Sequence, residues 1–175
     1  IFDRFLHVLR LRLGKDKPAN FAPMVVKLKK GVVLKPGYKI PFNLTPEEKT
    51  QFKKELDVNR AMGVIAKADM YDVLHSLLTV RKPTGGVRWV ITCITANDIT
   101  LEFTMPSADN VTDQQKRMKD AIYFFIADLV KGYWQIALAK ESQHLYCFDT
   151  PWGPMKYLRA PMGGSARSEE HTSEL

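Results

Sequence analysis

An uninterrupted apolar run occupies residues 122–127 and ends directly at an acidic residue, Asp128. A run of this length without a polar face is the pattern of a strand that is buried on both sides of a sheet. Because ligands bind at the edge of a sheet, beyond the ends of its strands, Asp128 is a candidate ligand-binding residue. A strand-terminal aspartate also serves as a cap or turn residue, so this position alone leaves both interpretations open.

The composition is that of a folded protein. The chain has 175 residues, of which 45% are hydrophobic and 26% charged, and this excludes disordered and collagen-like classes and indicates one domain or part of a larger one. Its two cysteines, Cys93 and Cys147, are too few for a disulfide framework and are predicted to be small buried residues. No apolar run reaches the ~18 residues of a transmembrane helix and no signal peptide opens the chain, so we expect an intracellular protein without a membrane partner.

Positive charge is concentrated near the N-terminus. The formal net charge is +7, and residues 1–40 hold ten basic residues and two acidic ones. A basic arm ahead of a near-neutral body is common in proteins that follow a nucleic-acid backbone. A solvated linker would carry the same charge, so both interpretations remain open.

The two ends of the sequence also carry information. The chain begins with isoleucine rather than methionine, and we expect its natural start to lie upstream. Arg167–Leu175 resembles the in-frame translation of a sequencing adapter, and we expect it to be an artefact. The predicted organisation is therefore a basic arm or linker over 1–44, a folded part over 45–166, and the artefact over 167–175.

Capping and turn residues predict the local structure. The prolines in 14–42 favour extended connections with short strands, whereas Thr45 and Glu48 form a capping box that opens a helix. This helix should run to about Met62 and end at Gly63. Its expected inward residues are Phe52, Leu56 and Met62.

Further elements follow along the chain. Residues 77–81 and 87–91 are predicted to pair as a hairpin, because the loop between them is rich in glycine and proline. A polar helix is predicted within 107–119. A second hairpin is predicted from 144–150 and 155–159, with its turn at Pro151-Trp152-Gly153.

Several segments resemble those of reverse transcriptases of LTR retrotransposons, most closely the gypsy type. Residues 123–136, YFFIADLVKGYWQI, are similar to the family's "YFxxLDLxxGYxQI". Residues 148–153 are similar to its "FxTPxG", and residues 160–163 to its "xPFG". Upstream, residues 61–65 match the "xxGII" helix end, and Asn97 lies where the family's "RALN" stretch ends. These matches occur in the family's order and spacing.

The resemblance implies an α+β fold, with 45–166 as the fingers and partial palm of a right-hand polymerase, truncated and built on an antiparallel sheet. It implies that Asp128 is a catalytic palm carboxylate and a metal ligand, and that the backbone carbonyl of Leu129 is a further metal ligand. The cofactor would be Mg2+ in a two-metal site that is incomplete in this chain. The chemistry suits the residue type, because hard cations prefer carboxylate oxygens.

The resemblance also implies a triphosphate clamp on the first hairpin. Arg88, together with Arg81 or Lys82, would bind the triphosphate, since guanidinium groups form charge-assisted hydrogen bonds with phosphate oxygens. An ordinary solvated hairpin would also carry such bases, so their position alone does not decide.

Four further residues are implied to bind the nucleotide. Gly132 would let the backbone approach it closely. Tyr133 would lie beneath the sugar and exclude a 2′-hydroxyl, although a tyrosine here could equally be a core residue. Met162 and Gly163 would complete the site. Met162 stands where many relatives carry Phe or Gln against the incoming base.

Two departures from the family pattern bear on activity. Thr92 and Ile94 replace the Asp and Arg of "VDYRALN", and the sequence contains no "YxDD" motif, so we expect the chain alone not to polymerise. The predicted function is that of a fragment of an RNA-directed DNA polymerase. Its partners would be an RNA or DNA primer–template, dNTPs and the remainder of a Pol polyprotein. The alternatives are a fragment of an RNA-dependent RNA polymerase, against which Tyr133 argues, and a non-catalytic basic nucleic-acid-binding module.

Overall fold

The computed structural model of the chain describes residues 14–34, 42–81, 87–101, 111–123 and 131–164. Three residues with predicted roles, Lys82, Asp128 and Leu129, lie outside these ranges, as does the predicted artefact. Their roles therefore stay predictions.

The first helix, α1 (Pro46–Ala61), forms where the capping box predicts it. The Glu48 amide donates to Thr45 Oγ1 at 3.2 Å, and the Thr45 amide donates to the Glu48 carboxylate at 3.0 Å. Phe52 and Leu56 are buried, as predicted. The helix ends before Gly63, which adopts φ +68°, a conformation that glycine reaches without steric cost.

The larger sheet contains β1 (Ile65–Lys67), β2 (Leu74–His75), β5 (Cys147–Phe148) and β6 (Met155–Tyr157). The strand order is β1-β6-β5-β2, and every pair is antiparallel except β2 with β5, which is parallel. The second predicted hairpin is thus present as β5–β6. Its first strand is shorter than predicted, because residues 140–145 form a 3-10 helix.

The smaller sheet is the predicted first hairpin, with β3 (Leu77–Arg81) and β4 (Val87–Ile91) antiparallel and at the predicted bounds. Helix α2 (Ile94–Ile99) follows β4 after a short turn and was not predicted. Helix α3 (Val111–Met118) lies inside the predicted range 107–119. Together with the larger sheet, these elements make the α+β fold with antiparallel pairing that the sequence predicts.

The predicted buried strand over 122–127 is wrong at its start. Ile122 is 84% exposed and Tyr123 is 92% exposed. Both follow a turn after α3, in which the Ala121 amide donates to the Met118 carbonyl, and this turn leaves them on the surface. Residues 124–127 lie outside the described ranges.

The N-terminal segment 14–34 is extended, as predicted, and it packs on the body of the protein. Met24 pairs with Leu138 in a parallel bridge, and Leu28 pairs with Thr100 in an antiparallel one. The Val26 amide donates to Ser142 Oγ at 2.9 Å in a buried hydrogen bond. Val25, Lys27 and Lys29, which alternate with these paired residues, are exposed. The basic charge of the segment therefore lies on the surface of the folded protein.

The main core lies between α1, the two sheets and the N-terminal segment. Cys93 and Cys147 are free and buried, as predicted, and burial raises the pKa of their thiols to about 12 and about 11. None of the helices in the described ranges has the length and hydropathy of a transmembrane span.

Candidate functional site

The β3–β4 hairpin has two different faces. Its register pairs Val80 with Arg88 and Arg81 with Val87, so the two arginines lie on adjacent strands but on opposite faces. The face that we call the open face is exposed and carries Leu78, Val80, Arg88 and Val90. The opposite face, which we call the backing face, carries Leu77, Thr79, Arg81, Val87, Trp89 and Ile91.

Helix α1 contacts the backing face at Arg81 and Trp89. Arg81 Nε donates to Glu48 Oε1 at 3.2 Å, and the ring of Phe52 stacks on Trp89 with 4.0 Å between centroids. The hydrogen bond from the Thr45 amide, and then attraction from Arg81, lower the pKa of Glu48. Of the predicted clamp residues, Arg81 is therefore engaged by the body of the protein, whereas Arg88 extends from the open face.

Tyr133 lies in a 3-10 helix, Gly132–Gln135, that begins after Lys131 in a left-handed conformation (φ 53°). Its side chain is 37% exposed, so it is not fully buried in the core. The neighbouring Trp134 packs against the core instead, and Lys131 Nζ lies 4.8 Å from the centroid of its ring. The helix thus turns one aromatic ring inward and leaves the other accessible.

The loop that holds Met162 and Gly163 is linked to α2. Asn97 Nδ2 donates to the Gly163 carbonyl at 3.1 Å. Gly163 adopts φ +94°, which restricts this position to glycine in practice. Met162 is exposed beside this link. Because α2 directly follows β4, the hydrogen bond connects the end of the hairpin to the predicted nucleotide-binding loop.

A short antiparallel bridge joins the segment after Tyr133 to the segment before Met162. Ala137 pairs with Arg159, and the Ala160 amide donates to the Ile136 carbonyl at 3.0 Å. The paired residues 136–137 directly follow the 3-10 helix of Tyr133, and residues 159–160 come shortly before Met162 in the sequence. The segments that carry these two predicted site residues are therefore joined at this bridge.

The two departures from the family pattern have different surroundings. The amide and the hydroxyl of Thr92 both donate to the Ser76 carbonyl, at 3.0 and 3.1 Å, so this threonine has a structural role. Ile94 is exposed on the first turn of α2. An exposed apolar residue thus occupies the position where the resemblance expects an arginine.

Sequence reasoning missed Arg159, which is 8% exposed and ties three segments together. It donates to the carbonyls of Gly63 at 3.3 Å, Trp134 at 3.1 Å and Asp16 at 2.8 Å. Its one signal in the sequence is a basic residue between Leu158 and Ala160, inside a stretch predicted to be a strand. The pairing of Glu48 with Arg81 gave no signal at all.

His75 provides a test of the buried interface between β2 and the 3-10 helix of residues 140–145. It is 2% exposed, its Nε2 lies 2.9 Å from the Leu145 carbonyl, and burial lowers its pKa. The unfolded chain takes up a proton near pH 6.5, which the folded chain resists. We therefore expect the free energy of unfolding to be unaffected by His75 above that pH and to fall as the pH drops below about 6.5.

Thermal unfolding from about pH 8 to about pH 5 measures this effect. His75→Gln should flatten the curve in that window. His144→Gln is the matched control, because His144 is more exposed and lies 3.4 Å from Asp72. An unchanged pH profile of unfolding in His75→Gln would contradict the assignment of this pH dependence to His75.

Parts of the chain are similar to known proteins. No family model matches the chain. A stretch of 62 residues, 35% of the chain, is 36% identical to the Retrovirus-related Pol polyprotein from transposon 412 of Drosophila melanogaster, and the chain covers 5% of that protein.

Solved structures resemble the chain over most of its length. The foamy viral protease-reverse transcriptase in complex with RNA/DNA hybrid matches 93% of the chain, with a TM-score of 0.70 and 16% identity. The same enzyme in complex with dsDNA matches 93%, with a TM-score of 0.66 and 18% identity. The chain has a reverse-transcriptase fold. It spans 21% and 33% of the length of those two chains.

The described residues do not test the predicted metal site. In the described ranges, no group of three or more His, Cys, Asp or Glu residues is arranged to hold a metal ion. Asp128 and Leu129 are the predicted ligands, and both lie outside those ranges.

Proposed function

We propose that the chain is the fingers and partial palm of an RNA-directed DNA polymerase from a gypsy-type LTR retrotransposon. The observation that carries this proposal is the reverse-transcriptase fold, found in a chain whose sequence also has the family's segments in order. The 36% identity to a Pol polyprotein from a transposon supports the same origin. Its reaction would be transfer of the nucleoside monophosphate unit of a dNTP to a primer 3′-hydroxyl along an RNA or DNA template, with pyrophosphate as the leaving group.

In this proposal Asp128 and the Leu129 carbonyl would hold Mg2+, whose charge would supply Lewis-acid chemistry at the 3′-hydroxyl and the triphosphate. Arg88 binds the triphosphate from the open face of the hairpin. The sequence offers Arg81 or Lys82 as the second base that binds the triphosphate. Because Arg81 is paired with Glu48, Lys82 is favoured for this role.

The nucleotide itself would bind between two neighbouring pieces of chain. Gly132 and Tyr133 supply the surface beneath the sugar, and the exposure of Tyr133 leaves its ring accessible for this role. Met162 and Gly163 would contact the base, in a loop that the bond from Asn97 fixes to the end of α2.

Primer extension tests the proposal. The chain alone should show no primer extension with Mg2+ and dNTPs. Asp128 is the one catalytic carboxylate proposed here, whereas each of the two cations is bound by one or two carboxylates. Joined to the downstream palm segment of a related reverse transcriptase, it should extend a primer. A joined enzyme that folds and binds primer–template but never extends it would contradict the proposal.

A non-catalytic nucleic-acid-binding module is the second candidate, favoured by the exposed basic residues of the N-terminal segment, among them Lys29 and Lys30. Under either function, we expect weak binding of primer–template without sequence preference. The affinity should fall steeply with salt, with a slope of about −0.9 in log–log form for each phosphate contact on duplex DNA.

Affinities for two unrelated duplex sequences, each measured at two salt concentrations, check this expectation. Equal affinities that both weaken with salt support it. A salt-independent affinity, or a strong preference for one sequence, would contradict binding through electrostatic contacts with phosphates.

Tyr133→Ala should change sugar selection in the joined enzyme. A ring packed beneath the sugar leaves no room for a 2′-oxygen, and overpacking of this kind costs about 1–3 kcal/mol, or about one to two decades in rate. Removal of the ring should therefore raise ribonucleotide incorporation relative to deoxynucleotide incorporation by that factor.

Single-nucleotide incorporation with dNTP and rNTP in parallel measures the ratio. Tyr133→Phe is the matched control, because it keeps the ring and should keep the selection. If an active Tyr133→Ala enzyme has an unchanged ratio, Tyr133 is a packing residue, and the argument against an RNA-dependent RNA polymerase fails with it.

A further inference from the structure

Phe52 touches both sheets of the protein. Its ring stacks on Trp89 of β4, with centroids 4.0 Å apart and an interplanar angle of 27°. On another side it lies 5.7 Å from the centroid of Trp152, in the turn between β5 and β6. One side chain of α1 therefore joins the hairpin to the larger sheet.

Glu48 lies one helical turn before Phe52 and makes a second contact with the same hairpin. Its carboxylate side chain is 14% exposed, whereas its partner Arg81 is 74% exposed, so the fixed member of this ion pair is the one on the helix. The capping bond from the Thr45 amide holds the other carboxylate oxygen. The end of β3 is thus attached to the first turn of α1.

The hairpin depends on such contacts for its orientation. A two-stranded hairpin is marginally stable alone and needs a helix or further strands to pack against. Here the open face, which carries Arg88, is exposed, and α1 contacts the opposite face at Arg81 and Trp89. A shift of Trp89 against Phe52 would move Arg88, its neighbour in β4.

We propose that Phe52 and Glu48 are positioning residues that fix the hairpin, and with it Arg88, relative to the larger sheet. The phosphate-binding role of Arg88 rests on the proposed function, whereas the fixed orientation of the hairpin does not. Two measurements separate these claims.

The first measurement is the distance between spin labels at Val90→Cys on the open face and Lys67→Cys on β1. The native cysteines are buried and their thiol pKa values are raised, so the introduced ones should react selectively. Phe52→Leu should broaden the distance distribution. Glu48→Gln should broaden it less, because glutamine keeps the capping box but loses the charge.

Two control variants make this result specific. Glu47→Gln removes an equal charge from the exposed side of the same helical turn and should leave the distribution unchanged. Leu138→Ala disturbs the core at the N-terminal segment, away from the hairpin, and should also leave it unchanged. An unchanged width in both Phe52→Leu and Glu48→Gln, or equal broadening in Leu138→Ala, would overturn the proposal.

The second measurement is the affinity for inorganic triphosphate, taken at a temperature at which circular dichroism shows every variant folded. Phe52→Leu should weaken binding about two- to tenfold, the range that corresponds to one aromatic pair, with Leu138→Ala unchanged. Unchanged affinity in Phe52→Leu would overturn the positioning of Arg88. If the wild type itself binds no triphosphate, the proposed function of Arg88 fails, while the distance result still decides the orientation of the hairpin.

Discussion

Replacement of Asp128 by asparagine, in an enzyme made by joining this chain to a downstream palm segment, should lower the rate of primer extension by about three decades or more. Stabilisation of charge by a bound metal is worth several kcal/mol, and each 1.36 kcal/mol is about tenfold in rate. Asparagine keeps the size of the side chain but replaces an anionic oxygen with a neutral one. Mg2+ binds carboxylates in preference to such ligands.

The control for this variant is Asp120→Asn, the same change at an exposed position eight residues earlier in the sequence. It should extend primers at the rate of the parent enzyme, and both variants should bind primer–template with similar affinity. Single-turnover extension measures the rate. Normal turnover in Asp128→Asn would disprove its role as a metal ligand.

The elements that the sequence predicted well are those with local signals. The capping box of Thr45 and Glu48 lies within one turn of chain, and it located the start of α1. The loop rich in glycine and proline located both strands of the first hairpin. In each case the decisive interactions join residues that are close in sequence.

The missed elements depend on distant partners. Strand β2 has two residues and exists because it pairs with β5, and β1 exists because it pairs with β6. The apolar run at Ile122 misled, because hydrophobicity alone predicts burial without saying which neighbour covers the residue. Ile122 follows a surface turn and is exposed.

The site shows the same division. The sequence predicted two bases on one hairpin, but only the register shows that Arg81 and Arg88 face opposite ways. The resemblance implied a role for Tyr133 beneath the sugar, which stays a prediction. What the structure adds is that Tyr133 is partly exposed in a 3-10 helix whose Trp134 packs against the core. Asn97 links α2 to the loop of Gly163 by a hydrogen bond, and these two residues are far apart in the sequence.

Arg159→Met should strongly destabilise the folded chain. The guanidinium donates three hydrogen bonds to backbone carbonyls of Asp16, Gly63 and Trp134 while nearly buried. Methionine fills a similar length but donates nothing, so these carbonyls lose their partner. Because hydrogen bonds to a charged group contribute about 1.5–3 kcal/mol each and are not additive, we expect a loss of about 3 kcal/mol or more in the free energy of unfolding.

Urea denaturation measures this loss, and hydrogen exchange locates it. The amides of Ala19 and Met24 donate to Gln135 and Ala137 carbonyls, so they should exchange faster if Arg159 holds the N-terminal segment in place. Arg60→Met is the control: this arginine is exposed and forms a surface pair with Asp57, so the change should cost less than about 0.5 kcal/mol. Equal stability of the two variants would mean that water replaces the guanidinium at those carbonyls, and that packing of Met24, Val26 and Leu28 alone holds the segment on the body of the protein.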